Sequence, residues 1–232
     1  MLSKADIKFI RSLEYRKFRQ VVGAFVAEGP KTVSELRKHL TLRMLVNDAD
    51  EVKRCTLQRS PQGILGVFNI PHHELPSENE IRCNLILALD GVQDPGNVGT
   101  IIRLADWFGI KHVMLGLGSA DAFAPKTVQA TMGALARLKT HEVDLREWLS
   151  SLPASTNIYG TFLDGKDIYR QTLSNSGVIV MGNEGRGISD EIASLVTDRL
   201  FIPPYPLGRE TSESLNVAIA TAITCAEFRR TK

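Results

Sequence analysis

The chain has 232 residues, of which 43% are hydrophobic and 23% are charged, a composition typical of a globular protein with one or two domains. Charged residues interrupt every apolar run well before the roughly 18 residues that a membrane-spanning helix needs, so we expect no such helix. The first ten residues lack a secretory apolar stretch, and Cys55, Cys83 and Cys225 form no CxxC pair. These features predict a cytoplasmic protein without a disulfide framework.

The net charge of +2 is unevenly distributed along the chain. Residues 1–70 hold 13 Lys and Arg against 7 Asp and Glu, whereas residues 71–232 hold 15 against 19. The N-terminal part is therefore basic and the rest of the chain mildly acidic, which favours contact of the N-terminal part with a polyanion. A solvated helix face explains the same basic residues equally well.

The first 70 residues predict a small α/β unit. Ser3 is a typical N-cap for a helix over residues 3–13, and Pro30 opens a second helix over residues 30–40. Short strands are predicted at residues 24–27, 42–46 and 64–68. Residues 71–83 contain two prolines and several polar residues without a sustained period, and we interpret them as a linker.

Residues 84–232 alternate between strands and helices. The continuous apolar run LILAL at residues 85–89 predicts a strand that is buried on both faces. Further strands are predicted at residues 112–115, 157–163, 178–181 and 200–202. Helices are predicted at residues 97–108, 125–132, 144–149, 189–196 and 214–229. This alternation is typical of a parallel sheet covered by helices on both faces.

Ligands bind such sheets at the carboxyl ends of the strands, where three loops are rich in glycine, proline or polar residues. They are DGVQDPGNVG at residues 90–99, GNEGRG at residues 182–187, and IPPYPLG at residues 202–208, which continues through residues 209–213 into SLNVA. The second loop has the spacing GxxGxG rather than the dinucleotide pattern GxGxxG, and Glu184 would place a carboxylate where a phosphate should lie. These differences disfavour a nicotinamide-dependent oxidoreductase.

Taken together, the three loops resemble a known family. The segments DPGNVGTIIRLADWFG, VIVMGNEGRGIS and IPPYP…SLNVAIATAI are similar, in order and spacing, to the motifs of SpoU/TrmH-type RNA ribose 2′-O-methyltransferases of the SPOUT class. The resemblance implies a parallel-sheet α/β domain over residues 84–232 with a C-terminal trefoil knot. It also implies a homodimer that uses S-adenosylmethionine to methylate RNA.

The N-terminal segments AEGPKTVSEL and SPQGILGV resemble the RNA substrate-binding domain of the ribosomal-protein-L30e type that many members carry. We therefore expect residues 1–70 to bind RNA, and their deletion to weaken RNA binding more than cofactor binding. The usual domain is longer, and we expect no helix or strand between Val46 and Ser60.

The resemblance assigns roles to individual residues. The cofactor-binding residues are expected to be Thr161, Leu163, Gly182, Glu184, Gly185, Ile202, Leu215 and Asn216. The catalytic group is expected to comprise Asn97, Arg103, Glu184, Ser214 and Asn216. An arginine with a pKa above about 12 is a poor base, so we expect Arg103 to bind the neighbouring phosphate and stabilise the developing alkoxide.

The leading hypothesis is S-adenosylmethionine-dependent methylation of a ribose 2′-hydroxyl in ribosomal or transfer RNA. A separate N-terminal RNA-binding unit slightly favours ribosomal RNA. The alternative is a non-catalytic RNA- or ribosome-binding protein that retains the fold, but such a protein has no need for the polar group around Asn97 and Glu184. The five histidines have no ligand spacing, so we expect no metal site and interpret them as structural or surface residues.

Overall fold

A computed structural model of the chain describes residues 1–206 and 214–230. Residues 1–69 form a three-stranded antiparallel sheet in the order β1-β3-β2, with helices around it. The elements are α1 (Lys4–Ser12), α2 (Arg16–Val22), β1 (Ala24–Glu28), α3 (Pro30–Arg37), β2 (Leu42–Val46), α4 (Ala49–Cys55) and β3 (Leu65–Asn69).

Two of these helices, α2 and α4, were not predicted from the sequence. The expectation that no helix follows Val46 was wrong, because α4 lies there. Asp48 caps it by accepting hydrogen bonds from two backbone N–H groups of its first turn, at 3.1 and 2.9 Å. The helix has seven residues and buries only Val52 and Cys55, which is too few apolar positions to show a helical period.

The second part of the chain contains a six-stranded sheet in the order β6-β5-β4-β8-β7-β9, in which all neighbouring strands are parallel. Its strands are β4 (Leu85–Asp90), β5 (His112–Gly116), β6 (Lys139–Val143), β7 (Ile158–Asp167), β8 (Gly177–Gly182) and β9 (Asp198–Phe201). Its helices are α5 (Glu78–Cys83), α6 (Pro95–Trp107), α7 (Pro125–Thr131), α8 (Leu145–Ser150), α9 (Asp190–Ala193) and α10 (Val217–Phe228). Strand β4 is central, as its apolar run predicts. No described helix has the length and apolar character needed to cross a bilayer.

The segment that we interpreted as a linker contains α5. Ser77 and Glu80 form a capping box, in which each side chain accepts a hydrogen bond from the other's backbone N–H group. Because only Ile81 is buried in this six-residue helix, the sequence shows no period there.

The two parts of the chain share one hydrophobic core. Phe25 of β1 stacks on Phe68 of β3 with ring centroids 5.8 Å apart, and its other neighbour is Phe123 from the second part, at 5.1 Å. Deleting residues 1–70 would therefore expose apolar surface of the larger sheet domain. Point substitutions are the cleaner way to test what the N-terminal part binds.

A buried ion pair joins the same two parts. Arg19 of α2 is only 3% exposed and donates to Asp121, which follows β5, at 3.1 Å from Nε and 2.5 Å from a terminal nitrogen. Its other terminal nitrogen donates to the carbonyl oxygens of Leu13 and Glu14 at 2.8 and 2.7 Å. Each of the three guanidinium nitrogens thus has an acceptor, and a buried charge is tolerated when it is paired and hydrogen-bonded in this way.

A second polar cluster lies at the amino ends of β5 and β6. His112 and His141 are buried and stacked, with Nδ1 of the first 3.0 Å from Nε2 of the second. Glu80 lies 3.3 Å from the other side of the His112 ring and 3.5 Å from Nζ of Lys139, and the ring of His73 contacts His141 edge-on. Burial, together with the positive charges of its neighbours, lowers the pKa of His141 from 6.5 to about 4, and burial also lowers the pKa of His112.

We expect Arg19→Met to lower the free energy of unfolding by about 3–5 kcal/mol, because it leaves the Asp121 carboxylate without its cation. Equilibrium unfolding in urea measures this change. Lys53→Met is the matched control, since the Lys53–Asp50 pair is largely exposed and surface ion pairs add little to stability. Equal effects of the two substitutions would contradict a structural role for the buried pair.

The low pKa of His141 makes folding sensitive to acid. The unfolded state takes up a proton as the pH falls below 6.5, whereas the folded state resists it until about pH 4. Between pH 6.5 and 5, His141 should therefore remove about 2 kcal/mol of stability. Urea unfolding across this range should show a flatter pH profile for His141→Gln than for wild type, and equal profiles of the two proteins would contradict this role of His141.

Candidate functional site

The three predicted loops meet at one edge of the six-stranded sheet because its strands are parallel. The first loop follows β4 and leads into α6, where Asp94 is the N-cap and accepts a hydrogen bond from the Asn97 backbone N–H at 2.9 Å. The second follows β8, and the third runs from β9 to α10. Residues 207–213 of the third loop lie outside the described residues.

The second loop is a closed turn. The backbones of Asn183 and Gly187 exchange two N–H···O hydrogen bonds, each 2.9 Å long. The side-chain oxygen of Asn183 accepts from the N–H groups of Gly185 and Arg186 at 2.9 and 3.1 Å, and its NH₂ group donates to the Gly91 carbonyl at 2.7 Å. Two N–H groups that a phosphate in this loop would need are therefore already bound within the loop.

Close backbone contact explains one glycine of this loop. A Cβ on Gly182 would lie 2.2 Å from the carbonyl carbon of Gly187 and 2.3 Å from the nitrogen of Ile188. Neither atom belongs to a side chain that could move away. The chain therefore requires glycine at this position, where β8 ends and the turn closes on it.

Asn97 connects the three loops. Its NH₂ group donates to Oε1 of Glu184 in the second loop at 2.9 Å, and its side-chain oxygen accepts from the NH₂ group of Asn216 in the third at 3.0 Å. The oxygen of Asn216 caps α10 by accepting from the N–H groups of Ala218 and Ile219 at 2.9 and 3.3 Å. The Asn216 side chain thus caps α10 with its oxygen and joins the site with its NH₂ group.

A cleft of about 480 Å³ lies beside this network, a volume in the range of small-molecule sites. Of the residues expected to bind the cofactor, Thr161, Leu163, Gly182, Glu184, Gly185, Ile202 and Leu215 line the cleft, as does Ser214. Among the described residues, Asn216 does not line the cleft, and it is linked to Glu184 through Asn97.

Several apolar residues of the cleft wall were not predicted from the sequence, namely Phe162, Met181, Ile188, Phe201, Val217 and Ala220. Phe162 lies beneath Arg199, whose guanidinium carbon is 3.5 Å from the ring centroid and which also pairs with Asp164 at 2.6 Å. Phe162 belongs to the strand that supplies Thr161 and Leu163. Its position next to them is the only sequence signal that could have indicated it.

Arg103 is separate from the cleft. It lies on α6, six residues after Asn97, where its side chain is exposed and does not line the cleft wall. Within the described part of the chain it has no hydrogen bond or ion pair, so its charge is available to a ligand that crosses this face.

The chemistry of the cleft fits S-adenosylmethionine better than a dinucleotide. Side chains already bind first-turn N–H groups of α6 and α10, at Asn97, Ala218 and Ile219, so fewer of these groups remain for a phosphate. The apolar walls suit a flat base, and the carboxylate of Glu184 suits a cationic group or a hydroxyl donor. Within residues 1–206 and 214–230, no group of three or more His, Cys, Asp or Glu could hold a metal ion.

Comparisons with known proteins agree with this geometry. The family model described as SpoU rRNA Methylase matches residues 84–226, and that of the MRM3-like substrate binding domain matches residues 4–65. The chain is 31% identical to the Bacillus subtilis 23S rRNA (guanosine(2553)-2′-O)-methyltransferase RlmP, over 96% of this chain and 95% of the relative.

Two solved structures have the same fold over almost the whole chain. A Porphyromonas gingivalis protein assigned to the TrmH family of RNA methyltransferases is 45% identical, with a TM-score of 0.87 that covers 99% of this chain and 98% of that one. An AdoMet-bound rRNA methyltransferase from Sinorhizobium meliloti is 28% identical, with a TM-score of 0.84 and coverage of 99% and 96%.

We expect Gly182→Ala to weaken S-adenosylmethionine binding more than tenfold, because the added methyl group must displace the backbone of the turn. Overpacking of this kind should also cost about 1–3 kcal/mol of stability. Calorimetric titration and thermal unfolding measure the two effects. Gly185→Ala is the control for unfolding, since its Cβ would have no neighbour nearer than 3.7 Å. Wild-type binding by Gly182→Ala would contradict the close packing of the turn.

Proposed function

The chain belongs to the SpoU rRNA methylase family, and on that basis we propose that it methylates a ribose 2′-hydroxyl of ribosomal RNA with S-adenosylmethionine. The observation that carries the proposal is the joining of three loops through Asn97 beside a cleft of about 480 Å³. A protein that only bound RNA would have no use for this arrangement. The relative RlmP, which aligns with nearly the whole chain, is named for the same reaction on 23S rRNA.

In our proposal the cleft residues hold and orient the two reactants. Backbone groups of Gly182, Gly185, Ile202 and Leu215, with the Thr161 side chain, would hold S-adenosylmethionine, which supplies a methyl group on a positively charged sulfur. Glu184 would provide the compensating negative charge. Alignment of the acceptor oxygen and exclusion of water are the contributions that a protein makes to such a transfer.

The 2′-hydroxyl must lose its proton as its oxygen forms the new bond to carbon. Arg103 remains cationic at any physiological pH and is a poor base. We propose that it binds the phosphate next to the target ribose, that this phosphate accepts the proton, and that the guanidinium stabilises the charge developing on the oxygen. Its exposure and its lack of an ion pair with any described residue support this role. Ser214, in the cleft wall, and Asn216, through its bond to Asn97, would maintain the shape of the cleft.

We propose that the chain after β9 forms a C-terminal trefoil knot, and the path of the chain supports this. Strand β9 is at the edge of the sheet, yet Asn216 contacts Asn97 at the carboxyl end of central β4. From there α10 runs along α6, and its last residue, Phe228, packs edge-on against Tyr159 of β7. The chain therefore returns across β7 and β8 before it ends, as threading through a knot would require.

We also propose a homodimer that forms through α10. This helix has no charged residue before Glu227, and its outer face carries Ile219, Ala222, Ile223 and Ala226 at helical spacing. Ile219 is 53% exposed, and Trp107 at the end of the neighbouring α6 is 83% exposed. Apolar surface of this extent is typical of an interface.

For the N-terminal part we propose an RNA substrate-binding domain of the L30e type, supported by its excess of basic residues. We place the enzyme in the cytoplasm, where bacterial ribosomal RNA is made and assembled. We propose the domain bounds predicted from the sequence: the RNA-binding domain at residues 1–70, a linker at residues 71–83 and the methyltransferase domain at residues 84–232.

The proposal predicts transfer of label from methyl-labelled S-adenosylmethionine to ribosomal RNA from a strain that lacks this protein. After alkaline digestion the label should lie in resistant dinucleotides, because a 2′-O-methyl group removes the nucleophile that cleaves the backbone. Label in transfer RNA alone would contradict the choice of substrate. Cofactor binding without transfer to either RNA would favour the non-catalytic alternative.

In the same assay we expect Arg103→Ala to lower kcat about 100-fold or more, the usual cost of removing one group that stabilises developing charge. Its Kd for S-adenosylmethionine should stay within about twofold of wild type, since Arg103 does not line the cleft. Arg82→Ala, on α5 at the opposite edge of the sheet, is the control. Near-wild-type methylation by Arg103→Ala would show that the assignment is wrong.

A further inference from the structure

Helix α2 exposes two aromatic rings and a valine. Tyr15, Phe18 and Val21 are 62%, 48% and 78% exposed, and the two rings lie 6.4 Å apart in an edge-on arrangement. Single exposed apolar residues are ordinary on protein surfaces. Three on one seven-residue helix and its N-cap form a local surface, which we call the α2 face.

Two ion pairs anchor helix α2, and with it the α2 face, to the large sheet domain. Arg19 points inward to the buried ion pair with Asp121, and Arg16 pairs with Glu142 near the end of β6. Both acidic partners belong to the large sheet domain. The rings are therefore presented from a fixed helix rather than from a loose N-terminal segment.

The α2 face lies at the same edge of the sheet as the candidate site. Asp121 follows the carboxyl end of β5 and Glu142 lies near that of β6, whereas the glycine-rich turn follows β8. In the order β6-β5-β4-β8, three strand spacings of about 4.8 Å separate the two ends, or about 14 Å. A chain of a few nucleotides would bridge that distance.

The segment that contains the α2 face is basic. Residues 1–22 contain six Lys and Arg against two Asp and Glu. Arg16 and Arg19 pair with acids, whereas Lys17 on α2 itself and Lys8 and Arg11 on α1 are exposed. Exposed aromatic rings surrounded by basic side chains are the combination that binds unpaired nucleotides, through base stacking and phosphate attraction. An apolar protein partner would gain nothing from these charges.

We propose that Tyr15 and Phe18 stack on unpaired bases of the RNA substrate and hold it across the carboxyl edge of the sheet, so that the target ribose reaches the cleft. This inference rests on the proposed function, because it names the surface through which the methylated RNA is positioned. It assigns the two rings to substrate positioning and not to the chemical step.

The test compares Tyr15→Ala, Phe18→Ala and the double variant with wild type. Each single substitution should raise the Kd for protein-free 23S rRNA about tenfold, the usual effect of losing one stacked base, and raise the KM for RNA similarly. The kcat at saturating RNA and the Kd for S-adenosylmethionine should change less than about twofold. Tyr15→Trp should retain wild-type affinity, since it preserves a ring.

Tyr169→Ala is the control for loss of an exposed ring, because Tyr169 is 45% exposed and belongs to the large sheet domain, outside the N-terminal part. An oligouridine strand should compete for wild-type protein more strongly than a duplex of the same length, and this preference should disappear in the double variant. RNA affinity within twofold of wild type in the double variant would overturn the proposal. So would a change from dimer to monomer in sedimentation, which would identify the α2 face as a protein interface.

The two proposals fail in different ways. If wild-type protein binds RNA but transfers no methyl group, the proposed function fails, while the loss of RNA affinity in the variants still supports the stacking surface. If wild-type protein methylates ribosomal RNA and the variants match it in KM, the stacking surface is wrong and the enzyme assignment stands.

Discussion

The side-chain amide of Asn97 is the contact on which the arrangement of the candidate site depends. An amide has one donor group and one acceptor atom, and here each is used by a different loop: Glu184 accepts and Asn216 donates. Aspartate could not donate to Glu184, and leucine could contact neither partner through a hydrogen bond. Because Asn216 also caps α10, the start of the last described helix is fixed by a residue more than a hundred positions earlier. The parallel sheet brings these loops to one edge, and Asn97 sets their spacing there.

Much of the fold could be predicted from local pattern. The run LILAL is β4, the alternation of strands and helices gives the parallel sheet, and the three loops stand at strand ends where ligands bind. Helices α2, α4 and α5 were missed for one reason. Each has six or seven residues and buries only one or two of them, so periodicity carries almost no signal and capping residues alone mark their ends.

The contacts that position the site could not be predicted in this way. Asn97 and Glu184 are 87 residues apart, and Arg19 and Asp121 are 102 apart. Nothing in either local sequence indicates its partner. The same is true of His112 and His141, which seemed unrelated in the sequence but stack because β5 and β6 are neighbours. Resemblance to a family supplied the residues of the site, whereas the structure supplied their pairings. The contact of Phe25 with Phe123 likewise fixes the N-terminal part against the sheet domain. Composition alone indicated only that a linker joins the two parts.

The closed turn after β8 has a thermodynamic consequence. Asn183 binds two N–H groups of the turn, pairs with Gly187 and holds the Gly91 carbonyl, so hydrogen bonds within the chain define the turn. The conformational entropy of this wall is therefore lost during folding and need not be lost again on association. Ligand entry into such a preformed, largely apolar space is governed by the removal of water from both surfaces. Its characteristic signature is a negative heat-capacity change, set by the apolar area of Met181, Ile202 and their neighbours, with little contribution from ordering of the loop.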